Sequence, residues 1–143
     1  LLKSIFFNKK TNLTSLSDDS GFIVHGLKNY PGIKTAREAK RLGGEKKVID
    51  YIYSKLNKLS EIDATFICAL AIKSNDEEII CSGKIDGKII NIKKGHRGFG
   101  YDPYFIPLKQ YKTFAEMELN EKMMVSHRFN AFKNLSNQIL SGN

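Results

Sequence analysis

An α/β fold, a mixed sheet with flanking helices, is what this sequence predicts, on three observations. The nearly continuous apolar run from Ala64 to Ile72 has the length and composition of a strand covered on both faces. Apolar residues recur at helical spacing in two places: Val48, Ile49, Ile52, Tyr53, Leu56 and Leu59, and again Phe129, Phe132, Leu135 and Ile139. The resulting order of helix, strand, helix, three strands and further helices suits flanking helices better than a repeating βαβ barrel.

Leu1, Leu2, Ile5 and Phe6 have helical spacing, but no capping residue precedes them, so the chain is expected to start inside an element, with an N-terminal piece missing. Asp18-Asp19-Ser20-Gly21 reads as a turn, and Phe22-Ile23-Val24 after it as a short strand that ends in the loop Tyr30-Pro31-Gly32. A helix should begin near Glu45, after Gly43-Gly44, and bury the Val48 to Leu59 stripe. The strand Ala64 to Ile72 should form a hairpin with Ile79-Ile80-Cys81 through the polar turn Ser74-Asn75-Asp76-Glu77. Asp86-Gly87 is a turn signal, with a third strand from Lys88 to Lys93. Thr113 and Glu116 have capping-box spacing, and the stripe of Phe129, Phe132, Leu135 and Ile139 closes the chain as a helix.

With 143 residues, 41% of them hydrophobic, and neither repeats nor low-complexity linkers, residues 1–143 are expected to form one domain around one core. A large multi-domain enzyme is excluded. The net charge of +8 favours anionic partners, but the basic doublets Lys9-Lys10, Lys46-Lys47 and Lys93-Lys94 are dispersed as on a solvated surface. Neither a zinc pattern nor a basic helix nor an aromatic-basic strand signature marks a module for long nucleic acid. Cys68 and Cys81 lie in apolar runs without CxxC spacing, as buried thiols do. No stretch approaches the ~20 apolar residues of a membrane span and no secretory leader opens the chain, so a soluble, cytoplasmic protein is expected.

Three segments carry the chemistry. Asp18 and Asp19 are hard oxygen donors of the kind Mg²⁺ takes together with phosphate oxygens. On a strand their side chains would point to opposite faces, so that one serves a site and the other supports it from behind. Ser20 has a hydroxyl for a phosphate or ribose oxygen, and Gly21 allows close backbone approach. In Gly98-Phe99-Gly100-Tyr101-Asp102-Pro103, Phe99 or Tyr101 offers a stacking surface, and Asp102 an acceptor for a base N–H. Near the start of the last helix, His127 and Arg128 can donate to a purine carbonyl, and Lys122 supplies a point charge for a phosphate or a base edge. Each segment alone also reads blandly, as a turn, a core-capping loop or a helix cap.

Together, Ser17-Asp18-Asp19-Ser20-Gly21, Tyr30-Pro31-Gly32-Ile33-Lys34-Thr35-Ala36-Arg37, Gly98 to Pro103, and Asn120-Glu121-Lys122 with Ser126-His127-Arg128 resemble, in order and approximate spacing, the non-canonical purine nucleoside triphosphate pyrophosphatases, the inosine triphosphatase or Ham1-like family. The resemblance implies an elongated fold with its site in a cleft between two lobes, commonly as a homodimer. It also implies Mg²⁺-dependent hydrolysis of ITP, dITP and XTP to monophosphate and pyrophosphate. By position it makes Asp19 the proton acceptor and metal carboxylate, with Asp18 supporting it at the metal site. Ser20 and Lys3 then contact substrate, Phe99, Gly100, Tyr101 and Asp102 form the base-binding turn, and Lys122, His127 and Arg128 read the purine's 6-oxo edge. Compared with the family pattern, the N-terminal phosphate-binding strand, loop and helix would lie before Leu1, His25 stands where Asp is frequent, and Phe129 where Gly is usual. The competing reading is a catalytically inactive remnant that binds purine nucleotides or serves only as a dimerising scaffold. A basic RNA-binding module is the third.

Overall fold

The long apolar run forms the central strand of the sheet. The computed structural model describes residues 1–58 and 60–141. Their elements are α1 (Leu2–Thr11), β1 (Ser15–Val24), β2 (Pro31–Gly32), α2 (Thr35–Leu42), α3 (Glu45–Leu56), β3 (Ile62–Lys73), β4 (Glu78–Ile89), a 3₁₀ turn (Asp102–Tyr104), β5 (Phe105–Pro107), α4 (Leu119–Val125) and α5 (His127–Ser141). The five strands lie in the order β2-β1-β3-β4-β5 with every pairing antiparallel. The expected α/β architecture of one sheet with flanking helices is thus the observed one.

Register puts Asp18, Ser20, Phe22 and Val24 opposite Leu70, Cys68, Phe66 and Ala64, all on one face. On that face α3 contributes Val48, Ile49, Ile52 and Tyr53 to a core shared with Phe22, Phe66, Phe105 and Phe114. A second cluster, Cys68, Leu70 and Cys81 with Ala131 and Leu135, lies under α5. Both cysteines are free and buried, as expected. α1 packs against β1 and β3 on the side that carries Asp19.

Several expectations need correction. The Asp-Asp-Ser-Gly segment is part of β1 rather than a turn, because pairing with β3 begins at Ser15 and continues unbroken. Asp86-Gly87 likewise sits inside β4, where Gly87 faces Ala64 and Pro107, so there is no separate strand from Lys88 to Lys93. At Gly87 the absence of a side chain makes room for the close backbone of Ile106, a use of glycine that sequence cannot tell from a turn. β3 is covered along the whole of its Phe66 face but only in part on the other, where Thr65 and Ala71 are buried and Asp63 and Ala69 are exposed. Glu116 does accept the Thr113 N–H, but within a tight turn; the capping box that starts α4 is Glu118 with Glu121. On α5 the buried face is His127, Ala131 and Leu135, while Phe132 and Ile139 are about half exposed. The α3 stripe is buried at Val48, Ile49, Ile52 and Tyr53 and partly buried at Leu56, while Leu59 lies outside the described residues. Within the expected loop Tyr30-Pro31-Gly32, Pro31–Gly32 forms β2 directly after a cis Tyr30–Pro31 bond, and α2 lacks the long apolar stripe by which a sequence announces a helix.

α5 seats on the sheet through a contact that only glycine allows. A Cβ on Gly83 would run into the α5 backbone at His127, Asn130 and Ala131. Asn130 and Asn134 then donate their side-chain amides to the carbonyls of Lys84 (2.8 Å) and Ser82 (2.7 Å), satisfying edge groups of β4 that no strand pairs. The start of α5 is thereby held over the middle of the sheet, where the site lies.

Candidate active site

β2 meets β1 only at Phe22 and Ile23, so the β1 edge before Phe22 is left open among the described residues. A cleft of about 420 Å³ borders this edge. Its walls are Asp19, Ser20 and Gly21 of β1, Thr35, Ala36 and Ala39 of α2, Glu45 of α3, the turn from Phe99 to Asp102, and His127 and Arg128 of α5. Strand alternation separates the two aspartates. Asp19 lies in the cleft wall with its side chain 64% exposed, and Lys3 Nζ sits 3.5 Å from its Oδ1 and donates to Asp18 O at 3.1 Å. Asp18 borders a different hollow, with Leu70, Cys68 and Phe132, and its Oδ2 lies 3.8 Å from Arg128 Nε.

The glycine-rich turn divides its aromatics. Tyr101 is 3% exposed, stacks on Phe22 at 5.0 Å and donates to Thr35 O, so it belongs to the core. Phe99 is 66% exposed, with Lys122 Nζ 5.3 Å and Arg128 Cζ 5.4 Å from its ring centre, both within cation–π range. Of the two candidate stacking surfaces, Phe99 is the one open to a ligand. Asp102 holds the turn closed: its Oδ2 accepts from Phe99 N at 2.8 Å and from Lys122 Nζ at 2.5 Å, while its Oδ1 has no partner among the described residues. Gly98 has φ +75°, and a Cβ there would strike the Asp102 carboxylate.

His127 is 3% exposed and stacks on Phe66 at 4.9 Å. Burial, followed by the positive charges of Arg128 and Lys122, pushes its pKa down to about 4, so the ring is neutral near pH 7. Arg128 Nη1 lies 3.3 Å from His127 Nε2, and a guanidinium only donates, so Nε2 accepts and the ring proton is on Nδ1. Nδ1 is buried without a partner among the described residues, as is Ser20 Oγ. A buried donor left unmatched in a cleft wall is an invitation to an acceptor. His127, Arg128 and Phe99 also line a second, more apolar groove of about 500 Å³ with Leu119, Lys122, Met123 and Phe129, so these three form the wall between the two hollows.

The sequence pattern of the Ham1 family matches residues 1–138. This chain belongs to the Ham1 family. It is 36% identical over 137 residues to a dITP/XTP pyrophosphatase of Oceanobacillus iheyensis, a span of 94% of this chain and 70% of that protein. The solved Ham1 protein of Staphylococcus aureus superposes with a TM-score of 0.87 at 34% identity, over 99% of this chain and 74% of that one. The Ham1 protein of Coxiella burnetii gives 0.85 at 32%, with the same coverage.

Within this Ham1 chain, every residue expected at the site except Asp18, Lys3 and Lys122 lines the cleft itself; Lys3 and Lys122 reach it through Asp19 and Asp102. Sequence reasoning missed Glu45, Thr35 and Ala36. Glu45 is the first residue of α3, just before its apolar stripe, and a lone first-turn acid looks like dipole compensation rather than a cleft wall. No group of three or more His, Cys, Asp or Glu is arranged around a common point among the described residues. The donors that do face the cleft are hard carboxylate oxygens, which suit a cation that completes its shell with phosphate and water. Among the described residues, no helix is long and apolar enough to cross a membrane.

Proposed function

We propose that this chain is a nucleoside triphosphate pyrophosphatase acting on ITP, dITP and XTP, releasing pyrophosphate and leaving the monophosphate. One observation carries the reading: a single cleft joins an exposed carboxylate, Asp19, to an aromatic and cationic wall whose buried imidazole has an unmatched donor. The names of its 36%-identical relatives point to the same chemistry.

The two ends of the cleft divide the labour. A purine would stack on Phe99, and its 6-carbonyl would satisfy the Nδ1–H of His127, with Arg128 and Lys122 adding positive charge. A 6-amino group at that position would place donor against donor, a mismatch that can cost several powers of ten in kcat/KM. At the other end, Asp19 accepts the proton of the water that attacks the α-phosphorus as the bond to the β-phosphate oxygen breaks. Lys3, 3.5 Å from Asp19, offsets the negative charge that collects there. Mg²⁺, held by Asp19 together with phosphate oxygens of the substrate, would neutralise the triphosphate and lower the pKa of bound water. A homodimer in the cytoplasm completes the reading.

The test is pyrophosphate release from dITP, XTP, dATP and dGTP, with and without Mg²⁺. Turnover of dITP and XTP in Mg²⁺, with dATP slower by orders of magnitude, is the expected result. Binding of dITP without hydrolysis would sink the enzymatic reading in favour of a nucleotide-binding remnant.

A further inference from the structure

We propose that Asp18 is a positioning residue that sets which nitrogen of His127 carries the ring proton, by holding Arg128 against it, and so determines whether the base-reading wall presents a donor or an acceptor. Asp18 takes no place in the cleft wall, and alternation along β1 puts its carboxylate on the sheet face opposite that of Asp19. There its Oδ2 lies 3.8 Å from Arg128 Nε. A guanidinium is a rigid planar fork, so constraining Nε constrains the direction of Nη1 as well. Nη1 lies 3.3 Å from His127 Nε2, and the same guanidinium sits 5.4 Å from the Phe99 ring centre. The chain of contacts therefore runs from a carboxylate on β1, through Arg128, to the imidazole at the start of α5.

Without Asp18 the guanidinium is free to turn towards solvent, and a neutral imidazole can then carry its proton on either nitrogen. The form protonated at Nε2 would present an acceptor at Nδ1, suited to a 6-amino group and not to a 6-carbonyl. Asp18 thus acts on base selectivity without touching the substrate. The kinetic part of this proposal rests on the pyrophosphatase reading; the tautomer does not.

Long-range ¹H–¹⁵N correlation spectra distinguish the protonated from the unprotonated imidazole nitrogen, and His127→Gln assigns the signal among the three histidines. The wild-type chain should show the proton on Nδ1, Asp18→Ala a mixture or the reverse, and Asp18→Glu a return to Nδ1. In parallel, the dITP-to-dATP ratio of kcat/KM should fall about fivefold in Asp18→Ala, the scale of an exposed ion pair, with the loss carried by KM. A proton on Nε2 in the wild type, or an unchanged tautomer in Asp18→Ala, overturns the proposal. If the wild type hydrolyses no nucleotide, the pyrophosphatase reading fails, yet the spectra still decide the role of Asp18.

Discussion

Asp19 and His127 show how differently two residues of one cleft are used. Asp19 is mostly exposed and packs against little, so replacing it by Asn removes the proton acceptor while changing stability by no more than about 0.5 kcal/mol. Asp19→Asn should therefore unfold in urea at the wild-type midpoint and release no pyrophosphate from dITP; wild-type turnover would remove Asp19 from the mechanism. His127 is the opposite case, buried and stacked, with a folded-state pKa of about 4 against about 6.5 when unfolded. Its folded pKa is depressed, so the unfolded chain binds the proton first. The stability it contributes is complete above pH 6.5 and is lost as pH falls towards 4, with a slope of up to about 1.4 kcal/mol per pH unit from this group. Urea midpoints measured between pH 7.5 and 4.5 should fall less steeply in His127→Phe, which keeps an aromatic ring beside Phe66 but cannot be protonated. Parallel curves would mean the ring is not held neutral by burial.

The start of α5 owes its position to β4 rather than to its own sequence. Gly83 lets the helix backbone rest on the strand, and Asn130 and Asn134 tie it to edge carbonyls. Gly83→Ala should push α5 away, costing roughly 1–3 kcal/mol as overpacking does and carrying His127 and Arg128 off their partners. Differential scanning calorimetry should show a lower Tm, and kcat/KM for dITP should fall even at temperatures where the variant is fully folded; unaltered turnover there would separate the seat of the helix from the site. The elements also show where local sequence signals misled. Asp-Asp-Ser-Gly and Asp86-Gly87 are strong turn pairs in isolation, yet both lie in strands because ladder pairing with β3 outweighs the local preference.

Across the whole molecule, the net charge of +8 is spread over a surface where many lysines and arginines meet carboxylates, as in Lys46–Asp50, Lys88–Glu61, Arg97–Glu118 and Lys112–Glu121. This dispersion suits small anionic ligands entering one cleft better than a continuous track for nucleic acid. The two thiols report on the integrity of the sheet, since Cys68 and Cys81 are buried from neighbouring strands beneath α5 and burial raises the pKa of each. A thiol reagent such as 5,5′-dithiobis(2-nitrobenzoate) should label neither cysteine quickly in the native protein and both in denaturant. Rapid native labelling would show that α5 opens from the sheet on its own.

The sequence by itself determined the class of fold, the family, the buried cysteines and eight of the fifteen residues that line the cleft, because apolar periodicity and four spaced motifs are local properties of the chain. It determined much less about how those residues work. Whether Phe99 or Tyr101 faces a ligand, that Asp18 turns towards Arg128 while Asp19 turns to the cleft, that Glu45 joins the wall, and that His127 is neutral with its donor at Nδ1 were decided only by the tertiary structure. Burial, strand register and hydrogen-bond direction arise between segments as far apart as β1 and α5, and no window of sequence contains both.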